Sequence, residues 1–141
     1  MTKFELYDRL HKVENIDEAL RIVAIKIERL ETCAQGHAIR YDLDKVQTSP
    51  GDPVAKIMED LSGLLDEQKA LQRRMVDAIT DVSELIGTVD DGKQRLVLHY
   101  KYIGLLHWRG IANKMHFAER HVYRLHDAGI SKILKNVSKC Q

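Results

Sequence analysis

The sequence contains few of the residues that break helices or favour strands. Proline occurs twice in 141 residues and aromatic residues make up 6% of the chain, which together favour an α-helical protein. Apolar residues account for 44% and charged residues for 30%, a balance that permits a buried core and argues against a disordered chain. We therefore expect an all-α fold of one or two small domains.

Long hydrophobic runs are also absent. No segment approaches the run of about 18 apolar residues that a membrane-spanning helix requires. The first 14 residues alternate charged and apolar side chains and lack the apolar core of a signal peptide. Cys33 and Cys140 show no metal-type spacing and suit a reducing compartment. The expected location is the cytoplasm.

The sequence lacks a catalytic constellation as well. It has no glycine-rich phosphate loop, no nucleophile elbow and no carboxylate pair beyond the ordinary acids of helices. Five of the seven histidines lie near the C-terminus, but none are spaced as an i, i+4 metal pair, so phosphate contacts or surface positions are expected for them. We expect no enzymatic activity, no cofactor and no metal. These histidines are His99, His107, His116, His121 and His126.

The net charge of +1 conceals an asymmetry along the chain. Residues 93–141 contain ten Lys and Arg against two acids, Glu119 and Asp127, a net charge of +8. Residues 1–92 contain 12 basic and 19 acidic residues, a net charge of −7. A basic module joined to an acidic one is typical of a protein that binds a polyanion through one end, although a merely solvated basic surface shows the same balance.

Two long segments carry apolar residues at alternating three- and four-residue steps, the pattern of helices with a coiled-coil-like seam. The first covers residues 13–34, roughly 33 Å of helix. The second follows Asp52 and Pro53, which read as an N-cap and a first-turn proline, and covers about 34 residues or roughly 50 Å. Neither helix can bury its stripe alone, so a long antiparallel hairpin is expected. The seam positions are Val13, Ile16, Leu20, Val23, Ile27, Leu30 and Ala34, then Val54, Ile57, Leu61, Leu64, Gln68, Leu71, Met75, Ala78, Val82 and Leu85.

Several features of this hairpin stay open. Residues 36–53 contain both prolines and predict a long, mobile loop at its tip. Residues 4–10 suggest a first short helix or an extension of the next one. Asn15 followed by Glu18 resembles a capping box, at which a helix begins or bends. Gln68 either fixes the register or faces solvent.

The predicted domain boundary lies at Gly87, ahead of the acidic pair Asp90 and Asp91. Residues 1–87 would form the hairpin, an interaction or oligomerisation module, and residues 88–141 a separate head. The second stripe is longer than the first, so part of it needs another partner. That partner could be the N-terminal segment, the head or a second subunit.

Residues 108–134 match the apolar template of a helix-turn-helix. The template requires a small residue where the second helix crosses closely, apolar neighbours, one apolar turn residue and two inward residues on the second helix. An ordinary pair of packed helices is the alternative. The residues that fit are Ile111, Ala112, Met115, Phe117, Val122 and Leu125.

Two residues depart from that template. His116 stands where glycine usually adopts the left-handed conformation, which histidine tolerates better than most residues. Ala118 stands where Ser or Thr would cap the second helix, and the missing cap should cost about 1 kcal/mol. Trp108, at the start of the first helix, is expected to be a core residue.

In a helix-turn-helix the second helix enters the major groove with its N-terminal residues foremost. Arg120 and Arg124 share one face of that helix and could read guanine. Glu119 could accept from cytosine or orient an arginine. The residues expected to contact phosphates are Arg109, Lys114, His116, His121 and Tyr123.

Residues 95–130 resemble the phage and prophage transcriptional regulators of Gram-positive bacteria that carry a sigma-factor region 4-like helix-turn-helix, the ArpU/RinA type of late-gene activator. The resemblance implies a DNA-binding regulator in a bacterial host cell, and it implies a contact with RNA polymerase. It extends more loosely through residues 49–57 and the long helix. The residues that carry it are Tyr100, Tyr102, Ile103, Trp108, Ile111, Ala112 and the run from Glu119 to His126.

Two functions therefore follow from the sequence. The first is a sequence-specific regulator that binds double-stranded DNA through its C-terminal residues and can associate with itself through the hairpin. The alternative is an interaction protein that binds RNA polymerase or serves as a scaffold without reading DNA. Binding to duplex DNA at several salt concentrations separates them, because DNA binding driven by phosphate contacts weakens steeply with salt.

Overall fold

The computed structural model describes residues 1–43 and 53–140. Most of these residues are helical and none lies in a strand, so the predicted all-α class is confirmed. None of the described helices is long and apolar enough to cross a membrane. The helices are α1 (Lys3–Leu10), α2 (Lys12–Leu43), α3 (Pro53–Gly87), α4 (Gly92–Tyr102), α5 (Trp108–Met115) and α6 (Glu119–Lys139).

The chain opens with the short helix that the sequence suggested. Thr2 caps α1 in a reciprocal capping box, since its side chain accepts from the Glu5 amide while the Glu5 carboxylate accepts from the Thr2 amide. His11 ends α1, and α2 begins at Lys12. The capping-box pattern at Asn15 therefore does not mark a helix start, because α2 already begins three residues earlier.

The prediction of a loop over residues 36–53 is wrong in its first part. Helix α2 continues through Gly36 to Leu43. A single glycine inside a helix costs only about 1 kcal/mol relative to alanine, and no proline follows until Pro50. Residues 44–52, with the rest of the predicted loop and the Asp52 cap, lie outside the described residues. Pro53 is the first residue of α3, as its position predicted.

The described chain divides into two compact units, and the division differs from the boundary expected at Gly87. Met1–Ile16 and Met75–Gln141 form one unit, here called the terminal unit. Asp17–Arg74 form the other, here called the central unit. The start of the chain and the end of α3 thus belong to the same unit as the three C-terminal helices.

The central unit follows the apolar seams of α2 and α3. Val23 and Leu71 are buried, and the other seam positions of both helices in this unit are half-buried. Gln68 is half-buried with them, so it belongs to the seam and is not a solvent-facing position. The three- and four-residue periodicity therefore identified the inward side of both helices.

In the terminal unit the N-terminal segment contacts the end of α3. Arg9 forms an ion pair with Asp81 through both carboxylate oxygens, and Lys12 Nζ lies 3.7 Å from the same carboxylate. The hydrogen bonds from Arg9 hold the pKa of Asp81 below its usual range. The N-terminal segment is therefore one of the partners that the longer stripe required. The buried residues of the chain start (1–16) and of positions 75–91 are Leu6, Leu10, Val13, Ile16, Ala78, Val82, Leu85, Ile86 and Val89.

Helices α4 and α6 approach closely at Gly129. A Cβ atom placed there would lie 2.8 Å from Leu98 Cδ1, closer than carbon atoms approach without repulsion. Because Leu98 is fully buried, its side chain has little room to move away. Gly129 thus permits the close approach that places α6 against α4 and fixes the position of the N-terminal half of α6.

Candidate nucleic-acid interface

Helices α5 and α6 begin within the segment 108–134 in which the motif was predicted, and a short turn of residues 116–118 joins them, but α6 continues beyond that segment to Lys139. His116 adopts the left-handed conformation, with φ 58° and ψ 39°, as predicted for this position. The Phe117 amide donates to the Ala112 carbonyl at 3.0 Å. The left-handed residue and this hydrogen bond end α5 and redirect the chain into α6.

A single apolar cluster holds α4, α5 and α6 together. Val97 of α4, Ile111 and Ala112 of α5, and Val122 of α6 are buried at its centre. Ala112 is only 5% exposed, consistent with the small residue that the template requires at a close crossing. Trp108 is half-buried against the cluster, which agrees with its predicted core role. The other partly buried members are Tyr100, Leu106, Met115, Phe117 and Leu125.

Helix α6 begins without a side-chain cap. Ala118 is the N-cap residue, with an extended backbone, and no side chain accepts a hydrogen bond from the first amides of the helix. This confirms the position that the sequence assigned to the cap. The first-turn acid Glu119 is the only favourable charge for the helix dipole at this end.

All eight predicted contact residues are exposed. The buried stripe of α6 runs through Val122, His126, Gly129, Ile130 and Ile133. Arg120 and Arg124 lie on the opposite side of the helix, one turn apart. Neither arginine forms a salt bridge with any residue in 1–43 or 53–140. The eight exposed residues are Arg109, Lys114, His116, Glu119, Arg120, His121, Tyr123 and Arg124.

Four of these side chains contact a neighbour on another element. Arg109 Nε of α5 lies 3.5 Å from Glu119 Oε1 of α6, and both side chains are exposed. Lys114 Nζ lies 5.6 Å from the ring centroid of Tyr100. The His121 ring packs edge-on against Phe117 with centroids 4.7 Å apart.

Tyr123 is held by an aromatic contact that the sequence did not reveal. Its ring centroid lies 4.6 Å from that of Trp108, and Lys101 Nζ lies 4.7 Å from the Trp108 ring on the α4 side. Tyr123 is nevertheless 42% exposed. Trp108 therefore serves both as a core residue and as a support for an exposed tyrosine.

His126 contradicts the expectation that the C-terminal histidines occupy the surface. It is 5% exposed, and its Nε2 atom lies 2.7 Å from the Tyr102 hydroxyl. Burial raises the pKa of Tyr102, so the hydroxyl stays protonated and donates to Nε2. The Nδ1–H group then donates to Asp127 Oδ1 at 3.1 Å. Burial lowers the pKa of His126, and the Asp127 carboxylate opposes this effect only partly.

The first helix also contacts this histidine. The Tyr7 ring lies 6.4 Å from the His126 ring, and the His11 ring packs edge-on against Tyr102 at 5.6 Å. These contacts join residues about 100 positions apart in the sequence. Periodicity within single segments carries no signal for them, and only the clustering of Tyr and His at residues 7, 11, 102 and 126 could have suggested a polar aromatic cluster.

No group of three His, Cys, Asp or Glu side chains within the described ranges converges on a position suited to a metal ion. Cys33 and Cys140 are exposed, and neither forms a disulfide bond. Comparisons with protein-family models, with curated proteins and with solved structures gave no match to this chain. The function of this surface therefore has to be inferred from its own residues.

Ala118→Ser should stabilise the protein by about 0.5–1 kcal/mol, because a hydroxyl at the N-cap accepts from the free amides of α6. The free energy of unfolding from denaturant titration measures the gain. Ser131→Ala, an exposed change within the same helix, is the control and should alter stability by less than about 0.5 kcal/mol. A stability unchanged by Ala118→Ser would place the start of α6 elsewhere.

Stability should fall as the pH is lowered from 7 to 5. An unfolded histidine has a pKa of about 6.5, and the pKa of His126 is lower in the folded protein. The unfolded chain therefore takes up a proton first, so the stabilisation present above pH 6.5 is lost on acidification. His99, whose pKa burial and Arg95 also lower, contributes in the same direction.

His126→Gln should reduce this slope of stability against pH without removing it, since His99 still titrates. Glutamine offers an acceptor near Nε2 and has no charge to gain. Ser131→Ala, at an exposed position on the same helix, removes no titrating group and should leave the slope unchanged. Equal slopes for wild type and His126→Gln would contradict a difference between the pKa of His126 in the folded protein and its pKa in the unfolded protein.

Proposed function

We propose that this protein binds double-stranded DNA through a helix-turn-helix formed by α5, the turn and α6, and that it regulates transcription. One observation carries the proposal. Arg120 and Arg124 are exposed on the side of α6 opposite its buried stripe, and neither is neutralised by an acid of the described chain. Arginine in that position on a recognition helix can bind guanine through two hydrogen bonds.

The surroundings of the two arginines support the same function. Arg109, Lys114, His116 and His121 flank them from α5, the turn and the side of α6, where side chains of this chemistry bind phosphates. The net charge of +8 over residues 93–141 adds a long-range attraction to a polyanion. The resemblance noted in the sequence extends the proposal to phage late-gene control and to contact with RNA polymerase.

We also propose that α2 and α3 form the antiparallel hairpin expected from their seams. Residues 25–30 of α2 and 59–67 of α3 line one groove. Measured from that level, α2 continues for roughly 23 Å to Leu43, and α3 begins roughly 15 Å away at Pro53. In a parallel arrangement the connection would have to span roughly 38 Å, more than the roughly 36 Å that ten peptide links reach. The antiparallel arrangement brings the two ends to similar heights.

Binding of the full chain to duplex DNA should depend steeply on salt. If about five phosphates are neutralised, log K should fall against log salt with a slope of roughly −4 to −5. Fluorescence anisotropy with a labelled duplex between low and moderate salt gives this slope. A flat response, or no binding at low salt, would contradict DNA binding and favour the interaction-protein alternative.

Arg120→Ala and Arg124→Ala should each cost about 1–3 kcal/mol on a duplex selected from a random library, and should relax the preference at one base pair. Lys114→Ala should instead weaken selected and random DNA alike and reduce the salt slope by about one. Lys135→Ala, an exposed lysine near the other end of α6, is the matched control and should change neither.

The pattern of losses separates base reading from positioning. If both arginine variants lose selected and random DNA equally, the two side chains contact phosphates only, and specificity must come from Glu119, Tyr123 or DNA shape. If neither variant changes binding, α6 does not lie in the groove, and this part of the proposal is wrong.

A further inference from the structure

A groove of about 780 Å³ runs between α2 and α3 in the central unit, and its two walls carry opposite charge. Lys26 and Arg29 lie on the α2 wall, whereas Glu59, Asp60 and Glu67 lie on the α3 wall. None of these five side chains forms a salt bridge within the described part of the chain. One wall of the groove is therefore basic and the other acidic, and no salt bridge within the described chain neutralises these charges.

The groove also has apolar side chains among its lining residues. Ile25, Leu30 and Leu64 line it, and Ile25 remains 55% exposed. Gly63 lies on the α3 side, and a Cβ atom added there would meet nothing within 4 Å. Packing within the chain therefore does not require glycine, which costs about 1 kcal/mol in a helix relative to alanine. A glycine at this point allows another backbone to approach closely.

The groove residues of both helices occupy the same flank of their seams. Counting the seam as heptad positions a and d, the lining residues of α2 and of α3 fall at positions c, d, f and g. Arg29 and Gly63 stand at c, and Ile25 and Glu59 at f, the positions farthest from the seam. Side chains at these outer positions point past the neighbouring helix of the same chain and are free to meet another molecule.

We propose that a second copy of this chain covers the groove, related to the first by a two-fold axis parallel to the helices. Such an axis places α2 of each copy over α3 of the other and keeps every residue at its own height along the helices. Lys26 and Arg29 then face Glu59, Asp60 and Glu67 of the second copy. A two-fold axis perpendicular both to the helices and to the line joining α2 and α3 places the two hairpins side by side in one layer. Neither copy would then cover the groove of the other, so this axis does not fit. The remaining perpendicular axis sets α2 against α2 and α3 against α3, so that like charges meet.

The complementarity continues beyond the groove. Glu18 lies one heptad before Ile25, and Arg74 lies one heptad after Glu67, on the same flank of their helices. In the antiparallel hairpin these two positions have similar heights. The parallel two-fold axis therefore also brings Glu18 near Arg74 of the second copy. In each helix an acidic stretch precedes a basic one along the chain. Because the two helices are antiparallel in the proposed hairpin, an acidic stretch of one helix lies at the height of a basic stretch of the other, as a self-complementary surface requires.

This inference rests on the proposed hairpin and does not depend on DNA binding. It is tested on the full chain, without DNA, by sedimentation equilibrium at micromolar concentrations. The wild-type protein should show twice the mass of one chain. Lys26→Glu/Arg29→Glu should weaken the dimer by about tenfold or more, because each acidic wall then meets another acidic wall. Glu59→Lys/Glu67→Lys should weaken it similarly through two basic walls.

Mixing the two charge-reversed proteins provides the decisive measurement. In the mixed dimer the acidic α2 of one chain meets the basic α3 of the other, and the remaining contact pairs the two unaltered walls. Dimers should therefore return in the mixture to near wild-type strength. Attraction within one chain cannot produce this result, because neither chain of the mixture contains a new complementary pair.

Charge reversal on the opposite flank gives the matched control. Glu28→Lys/Lys69→Glu changes two exposed residues at position b of the same helices and should leave the dimer unchanged. A monomeric wild type would overturn the proposal. So would charge-reversed variants that dimerise normally, or a mixture that stays monomeric. A wild-type protein that dimerises but does not bind DNA would contradict the proposed function and leave the dimer proposal intact.

Discussion

Helix α6 has to bury one side while it leaves the other open, and the terminal unit is arranged around that requirement. Val122 is buried in the cluster with α4 and α5, His126 bonds to Tyr102 and Asp127, and Gly129 admits α4. These three contacts occupy successive turns of the same stripe. Because they fix the rotation of α6 about its own axis, they also determine that Arg120 and Arg124 face away from the core. The exposed chemistry thus depends on the buried packing.

Local features of this unit were predictable because their causes are local. The template gave the left-handed conformation of His116 and the uncapped start of α6 at Ala118. The backbone conformation of Leu105, by contrast, could not be predicted from local residue preferences. It adopts φ 55° although the neighbouring Gly104 is the residue that tolerates this region at least cost. The Leu106 amide donates to the Tyr100 carbonyl around this point, a bond that residue preferences alone do not reveal.

The structure differs from the sequence-based predictions at Gly36 and at His126, for two different physical reasons. The predicted loop starts at residue 36, whereas α2 continues through Gly36, because one glycine costs less than ending a helix whose seam remains half-buried at Ala34. His126 was placed on the surface, although a buried imidazole is stable when both of its nitrogens have partners. One partner, Asp127, is the next residue in α6, whereas the other partner, Tyr102, and the covering Tyr7 lie on α4 and α1. Periodicity identifies the side of a helix that is buried but not the residues that cover it.

The two proposals assign different tasks to the two signs of charge. Basic residues dominate positions 93–141, where a polyanion would be bound, whereas the acids of α3 line a groove in the central unit. Acidic groups near DNA would repel its phosphates. Because the acids are concentrated in the segment proposed to contact a second copy, one chain can combine DNA binding with dimerisation. A two-fold dimer would also present two copies of α6 related by the same axis. Because a dimer of helix-turn-helix units reads two half-sites with its own symmetry, the DNA site of such a dimer would be an inverted repeat.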